Sequence, residues 1–254
     1  MSTQVYWMLG IPGSGRRKLL VDLIQTGFEA GERVGITLDA EEQGSRPAAV
    51  LDDLPGVGQF LYQYSPQHEI HLQLPEDPPE TLFILFNGTR NPVDQVETFS
   101  HWQQQQGFTL ARVLTVVHCG FLQKHPDARA WFDACIHFSD VVLLNRRETA
   151  DHSWVEQFRQ QFQKKKLPCI VEYVKKDTVD NPAYILEPEA RRLSLALEEW
   201  DSQPIEFDGV PIEDEDGTPL SEEDEEDPIP PDPYLERMPG GRRRKVLPDI
   251  RDFL

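Results

Sequence analysis

The sequence has few cysteines, no long apolar run and, across its most acidic stretch, no basic residue. Its three cysteines, Cys119, Cys135 and Cys169, lie far apart and form no CxxC pair. This spacing excludes a disulfide framework and a zinc ribbon. No apolar segment approaches the roughly 18 to 20 residues that a membrane-spanning helix needs, and the first residues lack the basic region of a signal peptide. We therefore expect a cytoplasmic protein that does not interact with a membrane.

The net charge of −19 is concentrated in one segment. Residues 201–233 carry 14 acidic residues and no Lys or Arg, whereas residues 1–200 have a net charge of −8 and residues 234–254 of +3. Such an acidic segment with few apolar residues cannot bury enough surface to offset its ordering entropy. We therefore predict a folded domain over 1–200, a disordered acidic linker over 201–233 and a short basic tail over 234–254. No part of the domain suggests a nucleic-acid surface.

Predicted strands alternate with predicted helices along residues 1–200. The strands are apolar runs at residues 5–9, 33–38, 81–86, 113–117, 141–144 and 169–174. The segments between most of them repeat apolar residues at helical spacing, and a last helix is predicted from about Pro188 to Trp200. Residues 59–64 are predicted to be extended, and residues 69–74 alternate like an edge strand. The alternation predicts an α/β fold with a mainly parallel sheet covered by helices on both faces.

A glycine-rich loop joins the first strand to the first helix. Its sequence, GIPGSGRRKLL at residues 10–20, keeps the glycine spacing of the phosphate-binding pattern GxxxxGK(S/T). In that pattern backbone amides cradle phosphate, the Lys reaches the terminal phosphates and the hydroxyl binds Mg²⁺. The candidate phosphate-binding residues are Gly10, Gly13, Ser14, Gly15, Arg16 and Arg17, with the two arginines at the Lys and Ser/Thr positions. The alternative is a turn that only connects strand and helix.

Five segments, in the same order, resemble the nucleotide-binding domain of the CobW-like metal-chaperone GTPases, in the CobW/HypB/UreG class. GIPGSGRRKLL resembles GFLGSGKTTLL, and TLDAEE at residues 37–42 looks like the NEFGE segment. NGTRNP at residues 87–92 resembles ETTGLADP, TVVHCGFL at 115–122 resembles TVVDAVNFL, and DVVLLNRRE at 140–148 is similar to ADxILLNKxD. The resemblance implies a three-layer P-loop NTPase-like fold, GTP as the ligand and a role in metal homeostasis or cofactor assembly.

The resemblance also implies two further groups of site residues. Asn87, Gly88 and Pro92 fall in a switch-like loop, and Asn145, Arg146 and Glu148 fall at the guanine-reading positions of NKxD. The planar guanidinium of Arg146 can cover a purine ring, and Glu148 keeps the carboxylate one methylene further out. The alternative is that Asn145 caps a strand end while Arg146 is a solvated surface charge.

The chain departs from the family at the positions that carry catalysis and metal binding. Besides the two arginines, Leu85 stands at the Glu of ETTG, and residues 59–68 contain no cysteine for the family's GCxCC motif. The pairs His68 with His71 and His118 with Cys119 point to opposite faces of a strand, so neither pair is expected to converge on one ion. We therefore assign no catalytic residue and expect neither zinc nor cobalt. GTP is a candidate ligand, and Mg²⁺ is a doubtful one.

Two functions of different classes fit these residues. The first is a weak guanine-nucleotide binder with little or no hydrolysis, whose role in metal homeostasis is implied by the resemblance alone. The second is a pseudo-GTPase that binds no nucleotide and acts as an interaction module for an unknown protein partner. A nucleotide titration with and without Mg²⁺ distinguishes the two.

Overall fold

A computed structural model describes residues 2–29, 31–42, 51, 54–65, 69–164, 169–188 and 232–254. The predicted acidic linker, apart from its last two residues, and nearly all of the predicted last helix lie outside the described residues. The chain divides into two compact units, Met1–Glu198 with Val246–Leu254 and, separately, Glu199–Lys245.

The described residues of the larger unit form eight strands and six helices. The strands are β1 (Gln4–Leu9), β2 (Val34–Asp39), β3 (Gly58–Tyr64), β4 (Ile70–Leu72), β5 (Thr81–Leu85), β6 (Thr109–His118), β7 (Val141–Asn145) and β8 (Ile170–Tyr173). The helices are α1 (Arg16–Gly27), α2 (Pro92–Gln106), α3 (Cys119–Lys124), α4 (Arg129–His137), α5 (His152–Lys164) and α6 (Pro182–Leu186). None of the described helices is long and apolar enough to cross a membrane.

The strands form one sheet in the order β4-β3-β2-β5-β1-β6-β7-β8. All neighbouring strands run parallel except β4, which pairs antiparallel to β3 at the edge. The predicted α/β fold with a mainly parallel sheet is confirmed, and the edge strand lies within the alternating segment. Every residue of β2, β5 and β7 is buried. Burial on both faces explains why these strands read as continuous apolar runs.

Side chains of β1 alternate between the two faces of the sheet. Tyr6 belongs to the same buried cluster as Leu19 of α1. Trp7 points the other way and packs on Phe86 with ring centroids 5.5 Å apart, and Phe86 stacks on Phe99 of α2 at 4.7 Å. Helices therefore cover both faces, and the carboxyl ends of the central strands stay open for a ligand site.

A side chain caps the start of α2 and the start of α3. α2 begins at Pro92, where the Asn91 side chain accepts a hydrogen bond from the N–H of Val93 at 2.9 Å. α3 was not predicted; it starts where His118 Nδ1 accepts the N–H of Phe121 at 3.1 Å. Cys119 is therefore a helical residue rather than the end of a strand, and burial raises the pKa of its thiol to about 12. Such a thiol behaves as a core residue.

The described part of the predicted basic tail divides between the two units. Val246–Leu254 belongs to the larger unit, where Ile250 is 1% exposed and the Phe253 ring lies 6.1 Å from the ring of His125. In the smaller unit, residues 232–245 form a turn that is closed by an antiparallel bridge between Arg237 and Arg243.

Candidate functional site

The glycine-rich loop lies at the carboxyl end of β1, where phosphate loops of parallel sheets are found. Gly13 and Gly15 have φ angles of 80° and 91°, in the left-handed region that favours glycine. Gly15 is also the N-cap of α1. A Cβ on Gly10 would lie 2.7 Å from the carbonyl oxygen of Val116 in β6. The glycine spacing seen in the sequence is therefore a requirement of the backbone.

A pocket of about 440 Å³ covers this loop. It brings together residues from three segments that the sequence analysis singled out separately: Arg16 and Arg17 of the glycine-rich loop, Asn87 of the switch-like loop, and Arg146 of the base-reading loop. Glu42, to which the sequence analysis gave no role, also lines it.

The two arginines of the loop hold a carboxylate of the chain itself. Arg16 Nη2 donates to both Oε atoms of Glu42 at 2.7 Å, and Arg17 Nη2 donates to Glu42 Oε2 at 3.1 Å. The N–H of Gly88 donates to Glu42 Oε1 at 2.9 Å. Arg16 also donates through Nη1 to the carbonyl oxygen of Phe86. Because the Arg16 and Glu42 side chains are only 5% and 13% exposed, this is a largely buried ion cluster.

The electrostatics of the cluster favour an ionised Glu42. Burial by itself raises the pKa of this carboxyl, but the charge of Arg16, the N–H of Gly88 and the charge of Arg17 outweigh it, so the pKa lies below its ordinary value. Burial lowers the pKa of Arg17, and the charge of Glu42 counteracts this. Two cations therefore share one anion inside the pocket.

The switch-like loop is held by hydrogen bonds on both sides of Asn87. Its Nδ2 donates to Asp39 Oδ2 at 2.9 Å, at the end of β2. Its backbone exchanges two hydrogen bonds with the Gln95 side chain of α2, at 2.8 and 3.0 Å. Pro92 is the first residue of α2. Asn87 and Pro92 thus fix the loop in place beside the pocket.

Gly88 packs directly on the backbone of the glycine-rich loop. A Cβ at this position would lie 2.3 Å from the carbonyl oxygen of Gly10 and 3.0 Å from the backbone carbon of Ile11. Backbone atoms cannot rotate away, so we expect Gly88→Ala to lower the free energy of unfolding by about 1–3 kcal/mol through overpacking. Chemical denaturation measures the loss, and unchanged stability would contradict this close approach.

Asn145 connects the base-reading loop to the glycine-rich loop. Its Nδ2 donates to the carbonyl oxygen of Ser14 at 2.8 Å and to Asp177 Oδ1 at 3.0 Å. Arg146 has a φ of 54° and pairs with the same Asp177 at 2.9 Å. Lys18 lies 3.6 Å from the Asp177 carboxylate. Asp177 was not found from the sequence, because its partners are distant in the chain.

Glu148 lies apart from the phosphate pocket. It is exposed, in the single 3-10 turn Arg147–Thr149, and it lines a second pocket of about 600 Å³ together with Arg146 and Lys176. Because Arg146 lines both pockets, the two lie next to each other along the carboxyl edge of the sheet.

Acidic and thiol groups are not gathered into a metal cluster in the described part of the chain. No three His, Cys, Asp or Glu side chains of these residues are placed to hold one ion. Leu85 is buried within β5, at the position where the resemblance places a Glu. His71 is exposed on β4, whereas His68 lies outside the described residues.

One family model matches the middle part of the chain. Residues 59–169 match the family model described as CobW/HypB/UreG, nucleotide-binding domain. The matched segment covers less than half of the chain; it contains the switch-like and base-reading loops but not the glycine-rich loop. No curated protein gives a significant match.

Three solved structures match 71–78% of this chain at low sequence identity. The Zn(II)-bound YjiA GTPase from E. coli is 13% identical, with a TM-score of 0.43, over 78% of this chain and 69% of that chain. A Zn(II)-bound triple mutant of the YjiA GTPase is 14% identical over the same shares, with a TM-score of 0.47. HypB from Helicobacter pylori in complex with nickel is 15% identical, with a TM-score of 0.41, over 71% of this chain and 81% of that chain. Over residues 59–169, this chain is therefore similar to the CobW/HypB/UreG nucleotide-binding domain.

Proposed function

We propose that this protein is a guanine-nucleotide binder that does not require Mg²⁺, hydrolyses little or no nucleotide and serves metal homeostasis or cofactor assembly in a regulatory role. One observation carries the proposal. Gly13 and Gly15 have the left-handed backbone conformations of a phosphate loop, while arginines occupy the Lys and Ser/Thr positions of that loop. The metal role rests on the family model that matches residues 59–169.

Phosphate would be held by the backbone at the start of α1 rather than by a metal ion. The amides at this N-terminus favour an anion at the base of the pocket. The residues present do not fit Mg²⁺, because Arg17 places a cation where the hydroxyl ligand belongs, 3.1 Å from Glu42 Oε2. Arg146, between the two pockets, can cover a purine with its guanidinium.

Slow or absent hydrolysis follows from the chemistry of the remaining side chains. Phosphoryl transfer depends almost entirely on positioning and on electrostatic stabilisation of the transferred group. Leu85 offers no carboxylate to orient an attacking water. The arginines can stabilise bound phosphate, but that contribution is made to the ground state as well and does not by itself accelerate the reaction.

The double change Arg16→Lys with Arg17→Thr is expected to create Mg²⁺-dependent nucleotide affinity. Restoring the hydroxyl and removing the fixed cation should strengthen binding in Mg²⁺ over binding in EDTA by about 1–3 kcal/mol. Titration of a fluorescent GTP analogue into both proteins measures this difference. The unmodified protein should bind equally in Mg²⁺ and EDTA; strong Mg²⁺ dependence or rapid hydrolysis would overturn the proposal.

A second candidate is the pseudo-GTPase that binds protein partners and no nucleotide. The observation in its favour is that Glu42 already binds both arginines of the loop. The same titration decides between the two functions, since this candidate predicts no binding of the analogue even at millimolar concentration.

A further inference from the structure

We propose that Glu42 is a built-in substitute for a terminal phosphate, so that the site accepts nucleoside diphosphates and discriminates against triphosphates. This inference rests on the proposed function and names the ligand class of the same pocket. Three features support this inference: the donors that bind Glu42, the donors that stay available to a ligand, and the contacts that hold the turn of Glu42 in place.

The donors that Glu42 binds lie where a terminal phosphate would be bound. Arg16 stands at the loop position whose cation reaches the terminal phosphates, and it donates to both carboxylate oxygens at 2.7 Å. Arg17 and the N–H of Gly88 also donate to this carboxylate, at 3.1 and 2.9 Å. A guanidinium matches the oxygens of a carboxylate and of a phosphate with the same geometry. One side chain thus supplies the oxygens that a third phosphate would bring.

The donors that remain suit the first two phosphates. The N–H of Ser14 already donates to the carbonyl oxygen of Ile11 at 3.2 Å. The amides at the start of α1 remain, and in loops of this kind they cradle the α- and β-phosphates. Lys18 lines the same pocket, and its side chain is 57% exposed. A third phosphate would meet the ionised Glu42 carboxylate, which already binds the two arginines. Like charges at contact distance repel, and the low exposure of this cluster weakens solvent screening.

The turn that carries Glu42 is held in place by residues outside the glycine-rich loop. Arg90 pairs with Asp39 at 3.2 Å and with Glu41 at 2.8 Å, on the two sides of the start of the 3-10 turn Ala40–Glu42. The N–H of Glu41 also donates to Asp39 Oδ1 at 2.9 Å. The carboxylate is therefore presented to the arginines by a turn that Arg90 and Asp39 hold in place.

Calorimetric titration of GDP and of GTP, both in EDTA, tests this assignment in the full chain. The unmodified protein should bind GDP more tightly than GTP. Glu42→Gln removes the charge and keeps the size, so the ratio of the GTP to the GDP dissociation constant should fall by roughly 10- to 100-fold, the equivalent of one or two charge-assisted contacts. Glu172→Gln is the matched control, since it removes the same charge from an exposed position of β8 and should leave the ratio unchanged.

A second variant, Glu42→Asp, allows the same test if Glu42→Gln does not fold. Glu42→Asp keeps the charge but withdraws the carboxylate by one methylene, and it should shift the ratio in the same direction by a smaller factor. An unchanged ratio in both variants, or a preference of the unmodified protein for GTP, would overturn the inference while leaving nucleotide binding intact.

Inorganic tripolyphosphate and pyrophosphate separate failure of the inference from failure of the proposed function. If no guanine nucleotide binds, but Glu42→Gln selectively gains affinity for tripolyphosphate, Glu42 occupies a phosphate position and the proposed guanine-nucleotide function is wrong. If neither polyphosphate nor nucleotide binds to Glu42→Gln, both are wrong.

Discussion

Arg16→Met is expected to lower the free energy of unfolding by about 3–5 kcal/mol, the usual cost of removing one partner from a buried ion pair. The guanidinium of Arg16 binds both oxygens of Glu42 and the carbonyl oxygen of Phe86. Its loss leaves an ionised carboxylate, 13% exposed, without its closest cation. Because Arg17 and Gly88 still contact Glu42, we expect a loss of stability near the lower end of that range. Urea denaturation at pH 7 measures the change.

The double variant Arg16→Met with Glu42→Gln is the control for this interpretation. Because the unpaired charge is the main penalty, removing Glu42 as well should restore part of the lost stability. The coupling energy from the double-mutant cycle should therefore exceed about 1 kcal/mol, the range seen for contacting charged groups. Strictly additive effects of the two changes would contradict a shared ion cluster.

The pH dependence of stability gives an independent readout of the same contact. The pKa of Glu42 is lowered in the folded protein from an ordinary value of 4.5. Its contribution to stability is therefore fully present above pH 4.5 and is lost as the pH falls through the lower folded-state value. Arg16→Met raises the folded-state pKa toward the ordinary value, so the variant should lose less stability on acidification than the unmodified protein does.

The strands could be predicted from the sequence wherever burial on both faces produced an apolar run. β5 and β7 are of this kind. The predicted strand at residues 113–117 is shorter than β6, which begins at Thr109. The prediction stopped short because this part of β6 contains Arg112, a fully buried cation. The guanidinium of Arg112 donates to the carbonyl oxygens of Tyr184 and Ile185, more than seventy residues further along the chain. Only the tertiary structure supplies the partners that make such burial tolerable.

The candidate site was predictable to the extent that it depends on local backbone requirements. The glycines of the loop show themselves in the sequence because their φ angles and close approaches exclude other residues. Glu42 and Asp177 cannot be recognised from the sequence as partners of this loop, because each contacts the loop only after the sheet brings separate strand ends together. Ile250 is similar: residues 246–254 are too few to show a periodic pattern, yet Ile250 is buried.

Trp131→Ala is expected to lower the free energy of unfolding by about 3–5 kcal/mol, as large aromatic truncations in cores do. Trp131 lies in α4 and is 2% exposed, with its ring 5.2 Å from that of Phe132. Its Nε1 donates to the carbonyl oxygen of Arg90 at 3.2 Å, so it also holds the switch-like loop from which Arg90 braces the Glu42 turn.

Trp131→Phe separates the packing contribution of this side chain from its hydrogen bond. Phenylalanine keeps most of the buried apolar surface but has no N–H, so the loss should be nearer 1–2 kcal/mol, from one neutral hydrogen bond and a small cavity. Thermal and urea denaturation of both variants measure the two losses. Amide hydrogen exchange at residues 88–91 should become faster in both, because both remove the donor to Arg90. Equal losses in the two variants would show that the hydrogen bond, and not the packing of the ring, dominates the contribution of Trp131.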